Sequence, residues 1–323
     1  MQRRQFHRIA LAAAAALAGA GAAAQSGKPI SLVVGYSAGG SADFVARVVA
    51  AELGKRLGRQ VIIENVPGAS GMLALQKVLN GPADGSLLYM GGTDTVAVPM
   101  VNPKVKADWE KDLVAIGRMT TVPMVFAVPA DAPYTTLADL IAALRKGGNE
   151  SFNYATPGIG TMQHFYGALI NKNAKVAMLH VPYRGGAQIV NDLVGRQVDS
   201  AVLVLSTAAP FLKEGKIKAL SVSDAARVPQ WPNVRRIGEE DGFAGIALPL
   251  WQGLLAKAGT SPAFVAACEK AMLDALAQPE LKAKLADSGI AVAPLPGAEL
   301  RAFIAPQAAL YRDIASAAKI TME

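Results

Sequence analysis

The sequence predicts an α/β protein with a mainly parallel sheet in each of two domains. Short β-branched apolar runs alternate with amphipathic helical stretches almost from end to end, the pattern of strands joined by crossover helices. The 323 residues exceed what one hydrophobic core commonly serves. Two separated segments share one design of apolar strand, glycine-rich turn and helix, at residues 30–57 and 151–171.

The elements follow in order. Residues 30–36 form a strand and 41–57 a helix, with Val45, Val49, Leu53 and Leu57 on one stripe. A strand at 61–66, a helix at 71–79 and a strand at 86–91 come next. Residues 114–127 read as extended because they are rich in β-branched side chains and carry Pro123. A helix at 137–145, a strand at 151–156, a helix at 161–171 and a strand at 177–182 follow. Then come a helix at 187–196, a strand at 200–205, a short helix at 208–214 and a strand at 218–223. After a stretch rich in proline and charge, 247–255 is extended and two or three helices close the chain, one over 298–318. The chain is expected to leave its first domain near residues 121–124 and return near 221–224. That makes residues 25–122 plus 224–323 one domain and 123–223 the other.

Residues 1–24 read as a secretory signal. Arg3, Arg4 and Arg8 form a positive region without an acid, an apolar run follows, and Ala22, Ala23 and Ala24 make a small-residue cleavage site. Arg3 and Arg4 also fit a twin-arginine pattern. A periplasmic protein cleaved after Ala24 is therefore expected. Removing the three arginines lowers the formal charge from +7 to +4. Lys and Arg are scattered, and aromatic residues make up only 6%, which speaks against a nucleic-acid partner. A mild positive field suits small anions.

Cys268 is the single cysteine, so no intramolecular disulfide forms, and it sits in a helical apolar stripe as a small hydrophobe. No HExxH, CxxC or clustered His/Cys spacing suggests a metal, and no cofactor is expected.

Two glycine-rich turns are the candidate ligand grip. In the first, Tyr36, Ser37, Ala38, Gly39, Gly40, Ser41 and Asp43 lie where a strand opens into a helix. The first N–H groups of a helix lack internal partners and carry positive potential, so they bind a carboxylate through backbone donors alone. Ser41 suits the N-cap and Asp43 the first turn. In the second, Thr156, Ile159, Gly160 and Thr161 occupy the same kind of connection. Its helix places Met162, Phe165, Tyr166, Leu169 and Ile170 on the core face, so His164 points toward solvent or a cleft. Weaker candidates are Ser70 in a Pro-Gly turn, Thr93 and Asp94 after a strand, Tyr183 before Gly185-Gly186, and Ser206 after a strand. Asp94 reads either as a cap of the next helix or as a ligand contact that disfavours a second carboxylate. Gly35-Tyr36-Ser37-Ala38-Gly39 also matches the nucleophile elbow G-x-S-x-G. That elbow normally follows several strands rather than the first, and neither His164 nor His180 makes a convincing base, so a binding protein is favoured over a hydrolase.

At these loops the chain resembles the Bug-type extracytoplasmic solute receptors of tripartite tricarboxylate transporters. The resemblance spans nearly all of residues 28–320. It is carried by ISLVVGYSAGGSADFVARVVAAELGKRLGRQVIIENVPGASG, ADGSLLYMGG, FNYATPGIGTMQHFYGALI, VPYRGGAQIVNDLVGRQVD, GKIKALSVS and WQGLLAKAGTSP. It implies a two-domain periplasmic binding protein (type II-like) that closes on its ligand like a clamshell and performs no catalysis. The implied ligand is a small carboxylate: a di- or tricarboxylate, an amino acid or an aromatic acid. The implied partners are the transporter's membrane subunits, with the receptor itself a monomer. A sensory module feeding a signalling protein is the alternative. Three departures stand out: Ser37-Ala38 replaces a commoner proline-containing pair, Ala42 replaces a hydroxyl residue, and an acid is unusual at Asp94. Ser37 or Ser41 could compensate for the hydroxyl missing at Ala42.

Overall fold

The computed structural model describes residues 27–147, 151–224, 227–248, 250–317 and 320. The signal reading of residues 1–24 lies outside them.

The first sheet has six strands in the order β11-β4-β10-β3-β1-β2. These are β1 (Ile30–Val34), β2 (Val61–Asn65), β3 (Leu87–Gly92), β4 (Leu113–Val122), β10 (Leu250–Lys257) and β11 (Ala291–Pro296). The second has five, in the order β7-β6-β8-β5-β9: β5 (Met124–Pro129), β6 (Asn153–Thr156), β7 (Leu179–Pro182), β8 (Ser200–Val204) and β9 (Ile217–Val222). Helices α1 (Ser41–Leu57), α2 (Met72–Asn80), α3 (Thr93–Val101), α4 (Trp109–Asp112), α9 (Pro262–Leu276), α10 (Pro279–Ala286) and α11 (Gly297–Ala317) accompany the first sheet. Helices α5 (Leu137–Gly147), α6 (Met162–Ala174), α7 (Gly186–Val194) and α8 (Leu205–Lys213) accompany the second.

The α/β architecture is as expected, but both sheets are mixed rather than mainly parallel. β1 is parallel to β2 and β3, and β6 to β7 and β8. β10 is antiparallel to both β3 and β4, β11 to β4, and β5 to β8 and β9. The antiparallel pairs arise where the chain leaves one sheet for the other and comes back, because a strand entering from the far sheet runs against its new neighbours.

The extended stretch expected at 114–127 is two strands in two sheets, broken at Pro123, which cannot donate to a ladder. The outgoing and returning segments lie side by side there. Met124 N–H donates to Ser223 Oγ (2.9 Å) and Ser223 N–H to the Met124 carbonyl (2.9 Å). Leu248 N–H, on the returning chain, donates to the Ser223 carbonyl (2.8 Å). A continuous apolar cluster runs past this crossing, from Val122 and Met124 to Tyr166, Phe243 and Leu248. Cys268 is buried within the same cluster as a free thiol, and burial raises its pKa to about 12. Strand β11 has no counterpart in the sequence reading, and α3 enters it only as the helix Asp94 would cap; the N-cap is Gly92, with Asp94 in the first turn. TDTVAVPMV has a β-branched run and a proline, which mask a helix whose buried Val96, Ala97 and Val98 pack under the site.

Candidate functional site

The C-terminal ends of β1, β3 and β8 feed directly into helices, the place where open α/β sheets present ligand sites. The amino ends of α1, α3, α7 and α8 converge there on a cavity of about 60 Å³ between the two sheets. The residues bounding α1, α7 and α8 at that end, Gly40, Gly185 and Val204, make no side-chain cap. Leu205 N–H, the first of α8, donates to the Pro123 carbonyl (2.8 Å); the other leading N–H groups of these helices carry no side-chain cap and are open to a ligand. Most of the lining is apolar, including Tyr89, Met90, Leu203, Leu250 and Trp251. Among the described residues no Lys, Arg or His lines the cavity, and Asp94 is its one carboxylate.

The first turn is held by Asp43. Its Oδ2 accepts from Gly39 N–H (2.9 Å) and Arg47 Nε (2.9 Å), and its Oδ1 accepts from Asn65 Nδ2 (3.0 Å). Burial disfavours the ionised carboxylate, but the bonds from Arg47, Gly39 and Asn65 outweigh it and lower its pKa. Gly39 adopts φ 82°, the left-handed turn that glycine takes without strain. Gly40, not Ser41, is the N-cap. Ser41, in the first turn, faces the cavity, and its Oγ accepts from Gln252 Nε2 (3.2 Å), whose Oε1 accepts from Thr120 (3.1 Å). With its lone pair engaged, the Ser41 hydroxyl proton is directed to donate toward a ligand. Of the two serines that could compensate for Ala42, Ser41 is the one at the cavity.

The second turn meets the cavity at Pro157 and Gln163, but much of its helix start is closed by the protein's own groups. Thr161 caps α6, its Oγ1 accepting from His164 N–H (3.3 Å) and donating to the Gly158 carbonyl (2.8 Å). His164 Nδ1 accepts from Gly160 N–H (3.1 Å). His164 is half-buried, off the core face of α6; its ring stacks on His180 at 3.9 Å, and His180 Nε2 meets Thr156 Oγ1 at 2.6 Å. Burial lowers His164 to a pKa of about 4; burial and then His164 lower His180 to about 3. The first N–H of α6, that of Met162, donates to Asp94 Oδ1 (2.9 Å), reaching across from the other sheet. Asp94 Oδ2 accepts from the Tyr36 hydroxyl. Burial raises the Asp94 pKa against these two bonds, and it raises Tyr36 further still, aided by Asp94.

Of the residues proposed from sequence, Tyr36, Gly40, Ser41, Thr93 and Asp94 line the cavity. Others join the two halves at the rim: Ser70 Oγ donates to the Ile159 carbonyl (2.6 Å), and Ser37 N–H lies 3.4 Å from the Arg184 carbonyl. Ala38 and Gly39 are exposed at that rim. Tyr183 donates to Asp192 (2.6 Å) and braces its own loop. Asp43, Thr156, Gly160, Thr161 and His164 support the turns, and Ser206 lies beside the cavity without lining it. Sequence reasoning missed Gln163, Thr207, Trp251 and Gln252, all of which line it. Gln163 Oε1 and Thr207 Oγ1 are buried with no hydrogen-bond partner. A polar residue inside the apolar 162–170 stripe was the available signal for Gln163; strand β10 reaches the cavity only through the return crossing.

Among the described residues the two histidines, His164 and His180, are engaged with Gly160 and Thr156, so neither serves Ser37 of the G-x-S-x-G match as a base. A cavity ringed by helix amino ends between two α/β sheets, without a nucleophile–base pair, defines a solute-binding protein of the periplasmic binding-protein class. The chain matches the family model "Tripartite tricarboxylate transporter family receptor" over residues 45–319, and it belongs to that family of solute-binding receptors, which are not enzymes. It is 31% identical over 266 residues to a UPF0065 protein from the tcbD–tcbE intergenic region of Pseudomonas sp. (strain P51), covering 82% of this chain and 79% of the relative. The periplasmic binding protein BugD superposes with a TM-score of 0.87 at 27% identity, covering 92% of this chain and all but 1% of that one (99%). MatC of Rhodopseudomonas palustris with bound malate gives 0.83 at 29%, covering 89% of this chain and 99% of the other.

Proposed function

We propose that this receptor captures a small organic carboxylate and delivers it to the membrane subunits of a tripartite tricarboxylate transporter. The observation that carries the reading is the set of uncapped amino ends of α1, α7 and α8 around one cavity with no basic side chain in its lining. Backbone donors and helix dipoles are the anion-binding groups on offer. Malate in MatC supports an acid as the ligand type. Residues 25–122 with 224–323 form one moving domain and 123–223 the other, hinged at the paired segments around Pro123 and Ser223. The protein acts as a monomer, exported to the periplasm by its first 24 residues.

Calorimetry against small mono-, di- and tricarboxylates and amino acids should give saturable binding for at least one. Solution scattering with that ligand should then show a smaller radius of gyration than without it. No binding by any acid at millimolar concentration overturns the reading, and superimposable scattering curves overturn the closure.

A further inference from the structure

The two ends of the cavity are not equivalent. At one end the starts of α1, α7 and α8 carry no side-chain cap and face the cavity. At the other, the start of the 13-residue helix α6 is already occupied by a carboxylate, and that carboxylate belongs to the protein. Asp94, projecting from the first turn of α3 on the six-stranded side, spans the cleft. One oxygen takes the Met162 N–H at 2.9 Å and the other takes the Tyr36 hydroxyl. Asp94 therefore occupies the position where a helix amino end would hold a second ligand carboxylate.

The groups beside it point the same way. Gln163, next in the chain to Met162, is 95% buried, lines the cavity and presents an unpartnered acceptor oxygen. Thr207, whose buried hydroxyl is likewise unpartnered, lies against Gly186 at the uncapped end, where it is open to the ligand's carboxylate. Among the described residues no basic side chain in the lining offsets the Asp94 charge. A second ligand carboxylate placed there finds the Met162 N–H already taken and meets acceptor oxygens in an apolar space, so it is disfavoured. An ammonium or amide N–H meets the unpartnered Gln163 oxygen and the Asp94 carboxyl instead.

We propose that Asp94 is the specificity-determining residue of the cavity. It stands in for a ligand's second carboxylate, so the site selects a monocarboxylate that presents a hydrogen-bond donor to its far end. The class that fits both ends is an α-amino acid with a small neutral side chain. The proposal rests on the carboxylate reading above and narrows it.

The test is calorimetry of the wild type, Asp94→Ala and Asp94→Asn against L-alanine, L-glutamine and malate, with thermal midpoints recorded for each protein. The wild type is expected to bind one of the amino acids at least about tenfold more tightly than malate. In Asp94→Ala, which vacates the start of α6, the ratio of amino-acid to malate affinity should fall by about tenfold or more. Asp94→Asn keeps an acceptor for Met162 N–H while it removes the carboxylate and puts an NH2 donor opposite the Tyr36 hydroxyl, so its ratio should fall in the same direction; it decides the matter alone if Asp94→Ala does not fold. An unchanged ratio in the variants, with binding intact, overturns the role of Asp94 and leaves the carboxylate receptor standing. A wild type that prefers malate overturns it equally. If none of the three ligands binds any of the proteins while a wider panel of acids also fails, the carboxylate reading falls and takes this inference with it.

Discussion

The amino ends of α1 and α6 share a sequence design and have opposite fates. Each follows a strand through a glycine-rich turn, and each leaves backbone N–H groups without helical partners. At α1 the turn is anchored from behind by Asp43, Arg47 and Asn65, so the N-cap Gly40 and Ser41 face the cavity. At α6 the donors are taken one by one: Gly160 N–H by His164, His164 N–H by Thr161 and Met162 N–H by Asp94. A helix start is thus an anion site only when its neighbours leave it open. Whether they do depends on which side chains arrive from elsewhere in the fold.

The largest test of this contrast is pH. His164 accepts Gly160 N–H through Nδ1, which requires the neutral ring, and it stacks on His180. Both folded-state pKa values lie below the ordinary 6.5, at about 4 and about 3. The stability these rings contribute is therefore complete above pH 6.5 and is lost as pH falls below it toward 4 and then 3. Unfolding free energies from denaturant titrations should drop over that window by about 3 kcal/mol or more per ring. His164→Asn, which keeps an acceptor for Gly160 N–H but cannot ionise, should flatten the profile. An equally steep profile in the variant would break the assignment.

Next come two glycine replacements that should act by different routes. Gly160 has φ 79°, and a Cβ there would lie 2.6 Å from Val101 of the facing half. Gly160→Leu should therefore cost about 1–3 kcal/mol of stability, read as a lower denaturant midpoint. Gly40 has ordinary φ (−81°), and the nearest atom to an added Cβ is the Ser37 carbonyl at 3.5 Å. Gly40→Leu should instead leave the midpoint within about 0.5–1 kcal/mol of wild type and weaken carboxylate binding by filling the cavity. Equal stability losses in the two variants would erase the distinction between the two turns.

The smallest expected effect is Ser41→Ala. It removes one hydroxyl donor at α1 and strands Gln252 Nε2, for about 0.5–1.5 kcal/mol of ligand affinity. Ser37→Ala, at the rim, should change affinity by less; calorimetry on the pair checks which serine serves the ligand.

Local physics made much of the fold legible. Apolar spacing placed Phe165, Tyr166 and Ile170 in the core, where they are fully buried, and Pro123 marked the break between the sheets because its missing N–H cannot join a ladder. Helix α3 was hidden by Val96, Val98 and Pro99, whose local preferences are overridden once the segment packs under β3 and β10. The apolar stripe of α6 set His164 apart from the core face correctly, yet it could not reveal that β7 brings His180 to cover that ring.

By itself the sequence determined the alternation of strands and helices and the two glycine turns that follow a strand and open a helix. All of these depend on residues within a few positions of one another. The tertiary structure alone decided which turn stays open, because that depends on a carboxylate 68 residues away reaching Met162. It also alone brought Gln252, 211 residues from Ser41, to orient the hydroxyl. Contacts at such separations are set by how the sheets pack and leave no periodicity in the chain.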